Sequence, residues 1–463
     1  MTEPVRRLRS YVDGIAWPAL PSRHGAAIQS LLFQLDQTQW WPEQRLVERQ
    51  LAQLQALLEH AYQTVPYHRM RLGAAGFRPG GSLTEADWRA LPLLTRRDVQ
   101  NAGKALASLK LPPEYAPVTE SQTSGSTGQP VKVIATQLDA LMWDALTIRE
   151  HLWHRRDFSA RLAVIRANAP QPQGESRVSM QRDWGPPAAA LFETGPAAAM
   201  SFAVDVAAQV EWLMRHGPEY LLTYPSNLMA LVRHTAARGE RPPRLREVRT
   251  IGETVTPELR AACRQAWQVP IVDAYSSQEF GYLALQCPES GLYHAMSENV
   301  LVELLAADGR RCAPGESGRV VVTALHNFAM PLIRYDLDDC AEAGGPCPCG
   351  RGLPTIARVL GRTRNMLRLP DGTQRWPLVG FARYRELAPI RQYQFVQRSR
   401  EEIEARFVAD RPLTGEEEAR LSQIIQTALG HPFRLTFSYF DDEIPRGPKG
   451  KFKEFVSMIE IGT

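Results

Sequence analysis

No stretch of this sequence approaches the roughly 18 consecutive apolar residues that a membrane-spanning helix needs, so a membrane-embedded class is not expected. A surplus of one charge is missing too. Lys+Arg number 54 against 50 for Asp+Glu, a formal net charge of +4 over 463 residues, and the basic residues are scattered. Nothing in that balance demands nucleic acid or an anionic membrane as a partner. Met1 to Pro21 mixes Arg6, Arg7 and Arg9 with prolines and has no uninterrupted apolar segment, which argues against a secretory signal. Cysteine is scarce: six residues, unevenly placed, do not make a disulfide framework. Internal repeats and low-complexity tracts are lacking as well. The expectation is a soluble, cytoplasmic protein.

A hydrophobic content of 44% is ample for a sizeable core. The length fits about three domains, or one large α/β body with a smaller appendage. Residues 43 to 64 carry Leu, Ala and Val at helical spacing, and Thr84-Glu-Ala-Asp87 looks like a capping box opening another helix. A helix is predicted over 137–154 and a short buried strand over 161–165. The segment 170–200, rich in Pro, Ala and Gly, has no clear period and reads as loop or as site lining. From 219 to 277 short apolar strands alternate with helices: strand 219–224, helix from Pro225 to about Arg238, strand 248–252, helix 257–267, strand 270–275. That βαβαβ pattern predicts a parallel sheet covered on both faces, with ligands beyond the carboxyl ends of its strands. Residues 300–335 turn β-rich, predicting a smaller antiparallel sheet or barrel. From about 363 a strand-strand-helix-strand pattern follows, its helix opening at Gly415-Glu-Glu-Glu418 and closing at Gly430.

The run Thr123-Ser-Gly-Ser-Thr-Gly-Gln-Pro130 places two glycines and four hydroxyl residues in one segment without bulk. Glycine lets the backbone approach a ligand closely, and successive N–H and hydroxyl groups can converge on anionic oxygens. It is not a Walker A loop, because Gln129 and Pro130 stand where that motif needs Lys-Ser/Thr. In isolation it would read as an exposed Gly/Ser turn. Elsewhere, Cys340, Cys347 and Cys349 crowd into ten residues of a Gly/Pro-rich turn, and Cys287 precedes His294 by seven. In a reducing compartment that spacing points to a metal, whereas Cys263 and Cys312 read as packing or surface residues.

Five motifs in order resemble the adenylate-forming superfamily of acyl-CoA synthetases, luciferases and peptide-synthetase adenylation domains. Within it the chain is most similar to the phenylacetate-CoA ligase branch and its capsular-polysaccharide-biosynthesis relatives, from Tyr67-His-Arg and Leu91 to Asp98 through the C-terminus. The resemblance implies an α/β fold. A large N-terminal domain, 1–361, with mostly parallel sheets flanked by helices plus a β-rich subdomain, would be followed by a small mobile α+β domain, 362–463. Ser124, Gly125, Ser126, Thr127 and Gly128 then correspond to the loop holding the ATP phosphates. Ile251-Gly252-Glu253 and Asp273-Ala-Tyr275-Ser-Ser-Gln-Glu279 correspond to the adenine site, with Tyr275 stacking and Glu279 helping to hold Mg²⁺. Arg334-Tyr-Asp-Leu-Asp-Asp339 resembles the segment whose last Asp grips the ribose hydroxyls. Here Leu337-Asp338 replaces the family's Thr-Gly, so Asp338 or Asp336 could share the role. Gly361-Arg-Thr-Arg-Asn-Met366 resembles the interdomain hinge, with Arg362 near the ribose and Arg364 where the family has an acidic or lysine pivot. Pro445 to Lys451 resembles the loop of the catalytic lysine, which assigns that role to Lys451.

Relatives in this branch carry a Cys, a nearby His and a later Cys-x-Cys, which correspond to Cys287, His294, Cys347 and Cys349 and imply a structural zinc site. Cys340 competes as the fourth ligand, and unmetallated thiols in a turn are the alternative. The resemblance implies a two-step ligase. A small-molecule carboxylic acid, aryl or arylacetic, attacks ATP to give an acyl-adenylate and pyrophosphate, and coenzyme A then displaces AMP. Tyr224, Trp184 and Phe192 could line an aromatic pocket or belong to the core. Transfer instead to a carrier-protein thiol or an amine, and a non-catalytic nucleotide-binding relative, are the other expectations to be tested.

Overall fold

The computed structural model describes residues 6–122, 131–167, 177–362, 367–372, 374–375, 384, 387–441, 444–445 and 455–459. Five helices lead the chain: α1 (Arg23–Thr38), α2 (Glu43–Thr64), α3 (Pro66–Ala74), α4 (Glu85–Ala90) and α5 (Arg96–Ala102). The predicted capping box at α4 is present, Thr84 Oγ1 accepting from Asp87 N at 3.1 Å and Asp87 Oδ2 from Thr84 N at 3.1 Å. Thr95 and Asp98 do the same for α5. Each box satisfies N–H groups that the first helical turn otherwise leaves without partners.

The antiparallel pair β1 (Thr119–Gln122) and β2 (Lys132–Ala135) flanks the hydroxyl-rich loop, which lies outside the described residues. Then follow α6 (Gln137–Trp153), β3 (Leu162–Arg166), β4 (Val178–Gln181), β5 (Ala197–Ser201), α7 (Val206–His216), β6 (Tyr220–Thr223), α8 (Pro225–Ala236), β7 (Glu247–Ile251), α9 (Pro257–Trp267) and β8 (Ile271–Ser277). Strands β5, β3, β6, β7 and β8 are parallel neighbours in that order, the α/β sheet that the βαβαβ pattern predicts. Segment 170–200, which has no sequence period, supplies the sheet edge as β4 and β5. Strand β5 is Ala197-Ala-Ala-Met-Ser201, too small and too uniform for a periodic signal.

The direction changes at β8. Strand β9 (Gly281–Gln286) runs back beside it, followed by β10 (Tyr293–Ala295), β11 (Val300–Leu305), β12 (Ser317–Ala324), β13 (Tyr335–Ala343) and β14 (Thr355–Arg362). These strands do not form a separate sheet or barrel. One twelve-stranded sheet runs β4-β5-β3-β6-β7-β8-β9-β10-β14-β13-β12-β11, because β9 and β10 bridge its parallel and antiparallel halves.

The chain divides into two compact units. The larger comprises Met1–Val255, Cys263–Leu337 and Ala341–Val359, and the smaller Thr256–Ala262, Asp338–Cys340 and Leu360–Thr463. In the smaller unit β15 (Leu367–Arg368) pairs with β16 (Gln374–Arg375). Its main sheet contains β17 (Ile390–Gln397), β18 (Glu402–Ala409), β19 (Arg434–Phe440) and β20 (Phe455–Ser457) in the order β19-β18-β17-β20. Helix α10 (Gly415–Leu429) buries Leu421, Ile425 and Leu429 with Phe395, Phe407 and Phe433 in that unit's own core. Thr414 caps its start, and Gly430 ends it at φ 62°, a left-handed conformation that glycine adopts without a Cβ clash.

Candidate active site and metal centre

Register places the motifs of the larger unit together. Thr223 lies beside Thr250 and Ile251 beside Ala274, so Tyr224 and Gly252-Glu253 follow the last residues of β6 and β7, level with Tyr275 near the carboxyl end of β8. Gly252 takes φ 77°, a turn that points the next residue back across the sheet edge. Glu253 Oε2 accepts from Ser226 N at 2.8 Å and so caps the first turn of α8 with a carboxylate. Asp273 is a buried brace, accepting from Thr250 Oγ1 at 2.7 Å and from the Tyr293 hydroxyl at 2.9 Å. That ties β7 and, across β9, β10 to β8 two residues before Tyr275, itself buried. Glu279 stands half-buried in the β8–β9 turn, an oxygen donor of the kind a hard divalent cation takes.

Arg334, first residue of the Arg-Tyr-Asp-Leu-Asp-Asp run, turns inward at φ 52°. Its guanidinium grips Glu303 through two hydrogen bonds of 3.2 and 3.1 Å and donates to the Arg89 carbonyl at 2.8 Å. Asp336 accepts from Arg319 Nη1 at 3.2 Å. In the smaller unit Asp339 and Arg362, assigned to one ribose, stand together with Arg362 Nε 3.0 Å from Asp339 Oδ1. Asp338 occupies φ 62°. The left-handed turn that the family fills with glycine is thus kept, by a residue type whose short polar side chain tolerates it. Ser124, Gly125, Ser126, Thr127, Gly128, Arg364 and Lys451 lie outside the described residues.

Four ligand atoms, from Cys287, His294, Cys347 and Cys349, gather within 4.8 Å of one another. Cys287 and Cys347 sulfurs are 3.7 Å apart, and Cys349 Sγ is 3.3 Å from His294 Nε2. Sulfurs bound ~2.3 Å from a tetrahedral ion stand ~3.8 Å apart, so this donor set fits zinc. Cys340 is not among the four. His294 Nδ1 donates to the Leu353 carbonyl at 3.2 Å, which leaves the Nε2 lone pair for a metal. Burial holds the His294 ring at about 4, hence neutral, and pushes the Cys347 thiol up to about 11. A bound cation reverses the latter by favouring the thiolate.

The ligand turn is tied down. Gly352 N donates to the Gln39 carbonyl at 2.9 Å, and Arg351 lies over Trp153 at 4.4 Å and Trp40 at 5.0 Å. A Cβ on Gly352 would stand 1.8 Å from the Trp41 carbonyl oxygen. No sequence signal marked this glycine or this arginine.

Sequence reasoning also missed a buried charge cluster between α6 and β7. Glu150, fully buried on α6, accepts from Arg249 Nε at 2.9 Å and Arg156 Nη2 at 3.1 Å, and Arg156 Nε donates to Glu247 Oε1 at 2.6 Å. Burial alone would raise the Glu150 carboxyl, but the two guanidiniums win and hold it far below the carboxylate range. His151 is kept neutral by burial and by Arg156, which donates to its Nδ1 at 2.9 Å. On the helix predicted over 137–154, consecutive Arg149-Glu150-His151 carry no sequence signal of burial, and all three are buried.

No family model matches the chain. It is 26% identical over 342 residues to a phenylacetate-coenzyme A ligase of Thermus thermophilus, spanning 70% of this chain and 72% of that enzyme. A phenylacetate-coenzyme A ligase of Escherichia coli is 25% identical over 338 residues, 69% and 71% of the two chains. A crystal structure of 2-hydroxyisobutyryl-CoA ligase with R3-HIB-AMP, in the postadenylation state, superposes with a TM-score of 0.71 at 18% identity over 91% of both chains. The chain is similar to phenylacetate-CoA ligases over about 70% of its length and has the fold of the adenylate-forming ligases. A structure of an anthranilate CoA ligase bound to anthranoyl-AMP shares that fold more loosely, at a TM-score of 0.51 and 14% identity over 72% of this chain and 65% of that one.

Among the aromatics expected to line a pocket, Phe192 stacks on Phe158 at 4.4 Å inside the core. Tyr224 stands at the β6 end, edge-on to Phe202 at 5.9 Å. Trp184 is buried but lines a cavity, with Nε1 bonded to the Ala160 carbonyl at 2.9 Å. No described helix is long and apolar enough to cross a membrane.

Proposed function

We propose that this protein activates a carboxylic acid with ATP and passes the acyl group to coenzyme A. The acid's oxygen attacks the α-phosphorus, the bond to pyrophosphate breaks, and an acyl-adenylate forms. The CoA sulfur then attacks the acyl carbon, and AMP leaves with the bonding electron pair. The observation that carries this reading is the convergence of Gly252-Glu253 and Tyr275 at the carboxyl ends of neighbouring parallel strands, with Glu279 in the next turn. Open α/β sheets bind ligands at that edge.

The residue roles belong to the same proposal. Ser124 to Gly128 cradle the phosphates, Tyr275 faces adenine, and Asp339 with Arg362 holds the ribose. Glu279 would hold Mg²⁺, which when bound neutralises phosphate charge. Lys451 sets an ammonium where negative charge develops on the α-phosphate. Residues 1–361 form the acid- and ATP-binding domain, and 362–463 the domain that carries Lys451. Cys287, His294, Cys347 and Cys349 hold a zinc ion with no open position, a cross-link of structure and not of chemistry. Three thiols kept as ligands suit a reducing compartment, the cytoplasm.

The test is acid-dependent pyrophosphate exchange across a panel of carboxylic acids, followed by product formation with and without CoA. Lys451→Ala is expected to slow exchange by roughly 10²–10³-fold, the loss that follows removal of one preorganised donor. Exchange at the wild-type rate in that variant removes Lys451 from the chemistry. Product formed equally well without CoA replaces CoA by another acceptor.

A further inference from the structure

Along β3, β6 and β7, from their first residues Leu162, Tyr220 and Glu247 to Arg166 at the carboxyl end of β3, the larger unit holds a cavity of about 190 Å³. That is below the ~300–1,000 Å³ of most ligand sites, so it suits a single-ring molecule. One wall is flat: Trp143 and Tyr282 stack with centroids 4.1 Å apart and planes 11° from parallel. Gly281, at φ 70°, lets them meet, since a Cβ there would come 3.3 Å from Trp143. Val164, Leu222 and Trp184 make apolar lining.

The rest of the lining is polar. Arg249 donates to the Tyr282 hydroxyl, which lies 3.1 Å from Thr147 Oγ1. His151 accepts at Nδ1 from Arg156, so its proton sits on Nε2, for which no hydrogen bond occurs among the described residues. Arg166 Nε, at the carboxyl end of β3, is buried without a hydrogen-bond partner among the described residues. Buried ion pairs of this kind seldom stabilise a fold more than apolar residues of the same volume. Their placement around a cavity that reaches the carboxyl end of β3 at Arg166 marks a binding role.

The chemistry of the lining selects its occupant. Arg156 and Arg249 are already paired with Glu247 and Glu150, so the cluster gains little from a second carboxylate. What it offers is donors around a flat slot. We propose that this cavity receives the acyl part of the activated acid, and that Arg249, Tyr282 and His151 select a small planar acid whose ring carries a neutral hydrogen-bond acceptor, such as a hydroxyl or carbonyl. Unsubstituted phenylacetic or benzoic acid leaves the His151 Nε2–H without an acceptor. The inference rests on the adenylation reading above.

The experiment compares hydroxybenzoic and hydroxyphenylacetic acids with their unsubstituted parents, by pyrophosphate release and by calorimetric binding to the full-length protein. The substituted acids are expected to win by ~100-fold or more in kcat/KM, since a site built to hydrogen-bond a substituent rejects the analogue lacking it. Tyr282→Phe, which keeps the stack, is expected to cut that ratio at least tenfold. Arg249→Gln should move the same ratio if it folds; Tyr282→Phe decides if it does not. Equal use of parent and substituted acids by the wild type overturns the proposal, as does a Tyr282→Phe variant that loses both alike. Selective binding without pyrophosphate release supports the pocket and sinks the adenylation reading instead.

Discussion

Asp338 shows how one residue can depart from a motif and keep its geometry. The family places glycine here because the turn needs a left-handed backbone, and the aspartate sits at φ 62°. Asp338→Gly is therefore expected to leave stability within about 1 kcal/mol. Asp338→Val, whose branched Cβ clashes in that region, should cost about 2 kcal/mol. Urea titration of both variants is the check, and equal costs would show that the backbone angle does not constrain the position. Motif identity was readable at Asp339, Glu279 and Gly252. The buried ionic residues were not: Glu150 and Arg249 lie 99 positions apart and acquire meaning only when α6 packs on β7.

Elements defined by their own local chemistry were the legible ones. Helix α2 spans residues 43–64 as its apolar spacing predicts, and α10 begins and ends at its Thr-x-x-Glu box and its glycine. Strands β4, β9 and β10 went unread, since three-to-six-residue segments owe their state to neighbours contributed by distant sequence. The metal turn belongs at this scale as well. Gly352→Ala must displace the Trp41 carbonyl, and a loss of several kcal/mol is expected, an overpacking cost at the upper end of the usual range. Cys347→Ser should remove stoichiometric zinc in elemental analysis and lower the thermal midpoint, because structural zinc is worth ~10–16 kcal/mol in small peptides. Zinc-free wild-type protein with an unchanged midpoint after chelation would dispose of the site.

For the molecule as a whole, buried histidines set the acid limit. His68 is fully buried, its Nε2 donating to the Pro331 carbonyl at 2.7 Å, and burial lowers it to about 3. The unfolded chain binds a proton near pH 6.5 that the native state refuses until about pH 3. Its contribution is complete above pH 6.5 and shrinks by about 1.4 kcal/mol for each pH unit below it. His68→Gln keeps a donor for Pro331 without titrating, so its stability should fall less steeply between pH 6.5 and about 4. Urea midpoints across that range measure the slope, and identical slopes would mean that His68 is protonated in the native state.

The sequence by itself determined the α/β class, the order of the adenylate-forming motifs and the identity of the four clustered metal-ligand candidates, because each depends on residue types at short, fixed spacings. Only the tertiary structure decided that parallel and antiparallel strands share one twelve-stranded sheet, and that charged residues of α6 and β7 turn inward around a cavity. Hydrogen bonds between strands and the pairing of buried charges are long-range interactions. Their energy depends on which distant segments meet, and no local pattern of residues encodes that meeting.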